Sequence, residues 1–205
     1  MKSQKEVWNS IAPEWNRFRN KPMLEVENFL KDKKGKVLDL GCGSGRHLVK
    51  SKRLEFYEVD FSDEMINFAK MNAERKDINA KFFVSDSHEI PFKDNFFDSA
   101  IYIAALHCIE SGKLRRESIK ELFRAMKKDS KALITVWSKN HVKLVEHPKE
   151  STVSWKKNSE NLQRYYYLYD KQELKELLEE IGFMVKSIME DNRNIIAIVE
   201  KPITS

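Results

Sequence analysis

The stretch Val37–Leu48, VLDLGCGSGRHL, runs a short aliphatic segment into Gly41, Gly43 and Gly45, half of the six glycines in the chain. Glycine is costly to order and is kept for backbone that must bend or be approached closely. The pattern predicts a strand, a tight turn and then a helix, an arrangement that aims backbone N–H groups at a ligand. Its spacing is G-x-G-x-G, not the G-x-G-x-x-G of a dinucleotide clamp. That difference argues for a compact ligand lying directly over the turn.

The flanks point the same way. Asp39 ends the first strand, KVLDL. The second, LEFYEVD, ends in Asp60, about 20 residues past the first glycine, where an acid is placed to hold ribose hydroxyls. The third, AKFFVSD, places Asp86 beside Ser87. In an open parallel sheet a ligand lies outside the carboxyl ends of the strands, so one ligand can meet all three acids.

The rest of the chain alternates strand and helix. Val7, Trp8, Ile11, Ala12, Trp15 and Phe18 recur at helical spacing over positions 4–20. Trp8 and Trp15 read as core. Pro22 fits the first turn of a second helix ending near Gly35, so residues 1–34 are N-terminal helices. DEMINFAKMNAERK reads as a helix capped by Ser62 or Asp63. FDSAIYIA is a fourth strand, RRESIKELFRAMKK a helix and KALITVW a fifth strand. Positions 139–163, polar and lysine-rich, show no period and read as an irregular insertion. KQELKELLEEIGF is a helix ending at Gly182, and MVKSIME and NIIAIVEK form a closing hairpin. With no repeat and no linker, residues 1–205 are expected to form one α/β domain, a parallel sheet wrapped by helices.

Composition limits the partners. The chain has 205 residues, 41% hydrophobic and 34% charged, with no apolar run long enough to cross a bilayer and no signal-peptide core, so the cytoplasm is the expected location. Cys42 and Cys108 match no metal spacing, and no metal site is expected. The net charge of +5 suits either a solvated Lys/Glu surface or a polyanionic partner such as RNA.

VLDLGCGSG, VDFSDEMI, SDSHEIPFKDNFFD and the following strand together resemble the successive motifs of class I S-adenosylmethionine-dependent methyltransferases. The resemblance implies a Rossmann-like, seven-stranded, mostly parallel sheet with helices on both faces and an antiparallel last strand. It also implies roles: Asp39, Gly41, Gly43 and Gly45 toward the methionine part, Asp60 on the ribose and Phe61 against the adenine. Asp86 and the Ser87 backbone would face the adenine edge, and the Ala104 carbonyl the methionine ammonium.

Outside the cofactor motifs, VWNSIAPEWNRFRNKPM, YIAALHCIESGKLRRESIKEL, LITVW and QRYYYLYDKQELKELLEEIGF resemble the tRNA methyltransferases that esterify carboxymethyluridine at the wobble position of the anticodon loop. The family's Arg-Tyr-Tyr-His run is Arg164-Tyr165-Tyr166-Tyr167 here, and Cys108 stands where a second histidine is common. A small-molecule methyltransferase with the same core is the alternative. A carboxylate acceptor needs a cation rather than a base, so Arg17, Arg19 and Arg164 are candidate clamps. Tyr165 and Tyr166 are candidates to stack on or orient an extruded base, and His107 is the one candidate base near the fourth strand. Such methyltransferases work with a small zinc-binding activator protein that adds a strand beside the third strand, here the edge carrying Phe82 and Phe83.

Overall fold

Val37 and Leu38 point to opposite faces of their strand, and each meets a different core. The computed structural model describes residues 2–157 and 160–204; Met1, Asn158, Ser159 and Ser205, which fall within the expected N-terminal segment, insertion and C-terminus, lie outside the described residues. Strand β1 (Gly35–Leu40) sits near the middle of a seven-stranded sheet. The others are β2 (Leu54–Asp60), β3 (Ala80–Val84), β4 (Phe97–Ile103), β5 (Met126–Trp137), β8 (Met184–Glu190) and β9 (Asn194–Glu200), in the order β3-β2-β1-β4-β5-β9-β8. The pairs from β3 through β5 are parallel, and β9 runs antiparallel to both neighbours. This is the Rossmann-like, mostly parallel sheet expected from the motifs, with its last strand reversed.

Helices cover both faces. Leu38, Leu40, Tyr57 and Tyr102 pack under α4 (Gly112–Ala125) and α5 (Lys171–Ile181), whose Ile119, Leu122, Leu174 and Leu178 are buried against them. Val37, Phe56 and Ile101 pack under α2 (Leu24–Leu30) and α3 (Asp63–Lys76) through Val26, Leu30 and Ala73. Helix α1 (Gln4–Phe18) belongs to a third cluster, in which Val7, Trp8, Ile11 and Ala12 meet Met65 of α3. It opens with a capping box of Ser3 and Glu6.

Four local features differ from the sequence expectation. No helix follows the glycine turn: residues 41–53 pass from β1 to β2 through consecutive turns. Their carbonyls find partners on α3 instead, Asn72 Nδ2 donating to Ser44 O (2.8 Å) and Lys76 Nζ to Leu48 O (3.2 Å). Pro22 precedes the N-cap Met23 rather than lying in the first turn of α2, which ends at Leu30. Helix α4 stops at Ala125, and Met126 already belongs to β5. The end of α4 is met by side chains and loops: Lys201 Nζ donates to Met126 O (2.9 Å), Asn95 N to Arg124 O and Phe96 N to Ala125 O. Asp129, with φ 61°, then bends the strand where its register with β4 shifts.

The fourth difference is the largest. Within the expected irregular insertion, β6 (Glu150–Lys157) and β7 (Glu160–Tyr167) form an antiparallel hairpin. Their inward faces alternate correctly, Val153 and Trp155 on one strand, Leu162, Arg164 and Tyr166 on the other. An arginine at an inward position and serines and lysines beside the tryptophan hid that alternation. The hairpin docks on α1. Gln4 accepts the Tyr165 N–H (3.0 Å) and donates to Gln163 O (3.1 Å), while Trp155 Nε1 donates to Glu14 (2.7 Å). Replacing Gln4 with Ala removes both backbone contacts and should cost about 1 kcal/mol. Hydrogen exchange will then speed up at Tyr165 and its strand neighbours, while β1 and β4 keep their protection.

Candidate active site

The carboxyl ends of β1, β2 and β4 open into a cavity of about 430 Å³. That size suits a nucleoside-sized ligand. The glycine turn forms its floor. Gly41 N and Cys42 N both donate to Val59 O (2.7 and 2.9 Å), folding the turn back over β2. Gly41 has φ +71°, and a Cβ there would lie 2.3 Å from the Ala105 methyl. Gly43 has φ +55°, but its missing Cβ would meet only Trp15 Nε1, at 3.8 Å. The first glycine is thus demanded by packing; the second leaves open space beside the backbone where a ligand can approach.

Asp60 fixes this geometry. Its carboxylate accepts the N–H of Gly43 (2.9 Å) and of Ser62 (2.9 Å), one on each oxygen. Burial pushes its carboxyl up to about 6, against the pull of these two N–H groups. Phe61, Asp86, Ser87 and Ala104 line the same cavity. Ser87 Oγ accepts the Tyr102 hydroxyl (3.2 Å), itself tied to Ser118 (2.7 Å). Ala104 sits at φ 54°, a costly position for a residue with a Cβ, and its N–H is held by Thr135 O and Oγ1 (3.0 Å each).

The structure separates the expected cofactor residues. Gly41, Gly43, Asp60, Phe61, Asp86, Ser87 and Ala104 line the cavity; Asp39 and Gly45 do not. Asp39 is fully buried, register partner of the equally buried Glu58, and none of their carboxyl oxygens has a hydrogen-bond partner. Burial raises both groups, Asp39 to about 8 and Glu58 well above the carboxylate range, so each is held neutral at pH 7. Among the lining residues that the sequence reading does not assign to a site, Arg46, Trp8 and Trp15 stand out. Arg46 directly follows the turn, and its Nε donates to His47 Nε2 (3.0 Å), whose basicity burial lowers to about 3. Trp8 and Trp15, expected in the core, wall the cavity from α1. Their i, i+7 spacing was the available signal, but only the docking of α1 turns that stripe toward a ligand.

None of the six expected catalytic residues lines the cavity. Arg164 lies just behind its wall, 6% exposed, with its guanidinium 5.8 Å from the Trp15 ring and 6.0 Å from Trp8. Trp155 at 5.0 Å and Tyr166 at 5.3 Å complete an aromatic box. One Nη donates to Tyr166 OH (2.6 Å), Nε is buried without a partner, and among the described residues no carboxylate pairs with it. Arg19 is exposed, 5.2 Å from the Trp15 ring, and Arg17 is exposed beside Phe18. His107 is 1% exposed, stacked on Trp137 (5.1 Å) and tilted beside Tyr166 (5.5 Å), and its Nδ1 accepts the Trp137 N–H (3.2 Å). Burial lowers its basicity to about 3, which gives it a structural rather than a proton-transfer character. Tyr166 is buried and stacked on Trp137 at 4.2 Å, which covers a face of its ring, while Tyr165 is half-buried and its hydroxyl accepts from Arg115 (3.0 Å).

Gly41→Ala should destabilise the fold by at least the roughly 1–2 kcal/mol of a left-handed alanine, with the overlap on Ala105 added. Adding Ala105→Gly will return only the overlap part; denaturant unfolding of the two variants separates the terms.

Comparison with known proteins agrees with this geometry. The family profile described as "Methyltransferase domain" matches residues 31–182. The tRNA (carboxymethyluridine(34)-5-O)-methyltransferase of Schizosaccharomyces pombe is 30% identical over 96% of this chain and 95% of its own length. The Arabidopsis thaliana protein of the same name is 31% identical over 64% of this chain, which spans 32% of that longer relative. A chain of the complex between the Haloferax volcanii Trm112 methyltransferase activator and a methyltransferase superposes with a TM-score of 0.76 at 16% identity, covering 98% of each chain, a likeness of fold. The donors of the glycine turn, the acids at two strand ends and the profile across the sheet converge: the chain belongs to the S-adenosylmethionine-dependent methyltransferase family.

Proposed function

We propose that this protein methylates the carboxylate of carboxymethyluridine at the wobble position of tRNA. The single observation that carries the proposal is Arg164: a buried guanidinium, boxed by four rings beside the cavity, with no anion of its own. A buried cation without a partner is costly, and a substrate carboxylate would relieve it. The Schizosaccharomyces pombe relative, aligned along nearly the whole chain, carries the name of that reaction.

The cavity residues fit the cofactor. Asp60 would accept the ribose hydroxyls with the lone pairs that Gly43 and Ser62 leave free. Phe61 would pack on the adenine, and Asp86 and the Ser87 N–H would bind its edge. The Ala104 carbonyl would take the ammonium, and Arg46, oriented by neutral His47, the methionine carboxylate. When bound, S-adenosylmethionine supplies an electrophilic methyl group on a sulfonium. The protein then has only to align and desolvate the acceptor. A carboxylate is ionised at neutral pH, so the neutral, occupied state of His107 is no obstacle. Arg17 and Arg19, exposed and without carboxylate partners, suit a polyanionic RNA.

The third strand supports the activator reading. β3 is a sheet edge, Val84 at its end is 48% exposed, and Phe82 and Phe83 pack into opposite faces. An added strand from a small zinc-binding activator would pair with that edge. The cytoplasm, where tRNA is modified, is the location this function requires.

Nucleoside mass spectrometry of tRNA bearing carboxymethyluridine, incubated with protein and cofactor with and without the activator, tests the assignment. The methyl ester is expected; ester formation only on small carboxylic acids would replace tRNA with a small-molecule acceptor. Arg164→Ala should lower kcat/KM for tRNA by roughly a hundredfold, the scale of stranding one buried charge, and leave cofactor affinity unchanged. Loss of both would make Arg164 a structural residue.

Asp60 also sets a pH limit. Its carboxyl titrates near 6 in the folded protein, and only the ionised form keeps all acceptor positions. Calorimetry should show S-adenosylmethionine affinity level above that pH and falling by up to about tenfold per unit below it. Asp60→Asn should bind weakly with no such slope.

A further inference from the structure

Trp15 is the last ring of the cavity wall, and two more rings lead outward from it. Trp155 of the β6–β7 hairpin lies 6.0 Å from Trp15, tilted by 51°. Phe18, at the end of α1, lies 6.5 Å from Trp155 and is 69% exposed. Hydrophobic burial does not explain so open a phenylalanine at a helix end. Trp155 is not free to swing: its Nε1 is bonded to Glu14 (2.7 Å), and the Arg164 guanidinium sits 5.0 Å from its ring. Glu14 is the one acid in this row, and the indole occupies its carboxylate.

Cations flank the rings. Arg17 lies 6.0 Å from the Phe18 ring and Arg19 5.2 Å from the Trp15 ring. Neither has a carboxylate partner, whereas Arg115, Arg116 and Arg124 on α4 are all ion-paired. Arg19 is also close enough to act on the charge of Arg46, inside the cavity. The row therefore runs from solvent to the cavity as alternating aromatic faces and unpaired guanidinium groups.

We propose that Phe18 and Trp155 form a stacking platform for unpaired bases flanking the nucleotide to be modified, with Arg17 and Arg19 on the intervening phosphates. The occupant is a single-stranded RNA loop. Its bases stack on aromatic faces regardless of sequence, and its phosphates complement guanidinium groups that nothing in the chain neutralises. A free mononucleotide would need only the cavity, and an apolar protein segment would leave the arginines unanswered. The platform rests on the tRNA reading above and adds to it the surface that holds the loop.

Fluorescence anisotropy with a synthetic anticodon stem–loop, using the full chain, tests it. Phe18→Ala removes an exposed ring without disturbing the core and should weaken RNA binding about tenfold; Trp155→Ala should do the same or more. S-adenosylmethionine affinity of Phe18→Ala should match the wild type. Arg17→Ala with Arg19→Ala should flatten the dependence of log affinity on log salt by about 1.4. Wild-type affinity for the stem–loop in both ring variants overturns the platform and leaves the methyltransferase assignment standing. Absence of stem–loop binding by the wild-type protein overturns the platform and the tRNA reading together.

Discussion

The carboxylate of Asp60 ties two loops together. One oxygen holds the Gly43 N–H after β1, the other the Ser62 N–H that opens α3. Ser62 in turn caps α3 through the Met65 N–H and donates to Asn9 of α1. One buried acid thereby sets the glycine turn, the start of a helix and the position of the N-terminal helix. The cavity exists because these three are held apart at the end of a twisted sheet. Burial raises the Asp60 carboxyl to about 6, and the two N–H groups it accepts hold it from rising further.

Charge is distributed unevenly around that cavity. Beneath the turn, Asp39, Glu58 and His47 are buried and neutral, because no partner offsets the cost of charging them. Outside the cavity, buried His107 is neutral as well, its basicity lowered by burial. The cavity itself holds the Asp60 carboxylate and the Arg46 guanidinium, while the guanidinium groups of Arg164, Arg19 and Arg17 lie behind or outside its wall. These cations beside the opening favour ligands that bring anionic oxygens. The interior therefore contributes shape and the rim contributes charge selectivity.

The β6–β7 hairpin makes that rim. It carries Arg164 to the tryptophans of α1 and packs Trp155 against Trp15. Its inward face joins Leu162 and Tyr166 to the α1 cluster, so helix and hairpin stabilise each other. Each cation–aromatic contact of Arg164 is worth on the order of 1 kcal/mol, enough to hold a guanidinium in place but not to replace an anion.

The sheet and the cofactor motifs could be read from the chain because both rest on local rules. Buried strands are short apolar runs, left-handed turns require glycine, and acids at strand ends follow directly from strand length. Asp60, Phe61, Asp86, Ser87 and Ala104 accordingly share one cavity at the strand ends. The segment after the glycine turn was misread as a helix, since satisfaction of its carbonyls by Asn72 and Lys76 is a tertiary event. The hairpin was misread because an inward arginine looks polar until the rings around it are known. Local sequence thus determined the layered sheet and the ligand turn. Only the packing of α1 against the hairpin decided which arginines and tryptophans gather beside the cavity, because those contacts join residues some 140 positions apart in the chain.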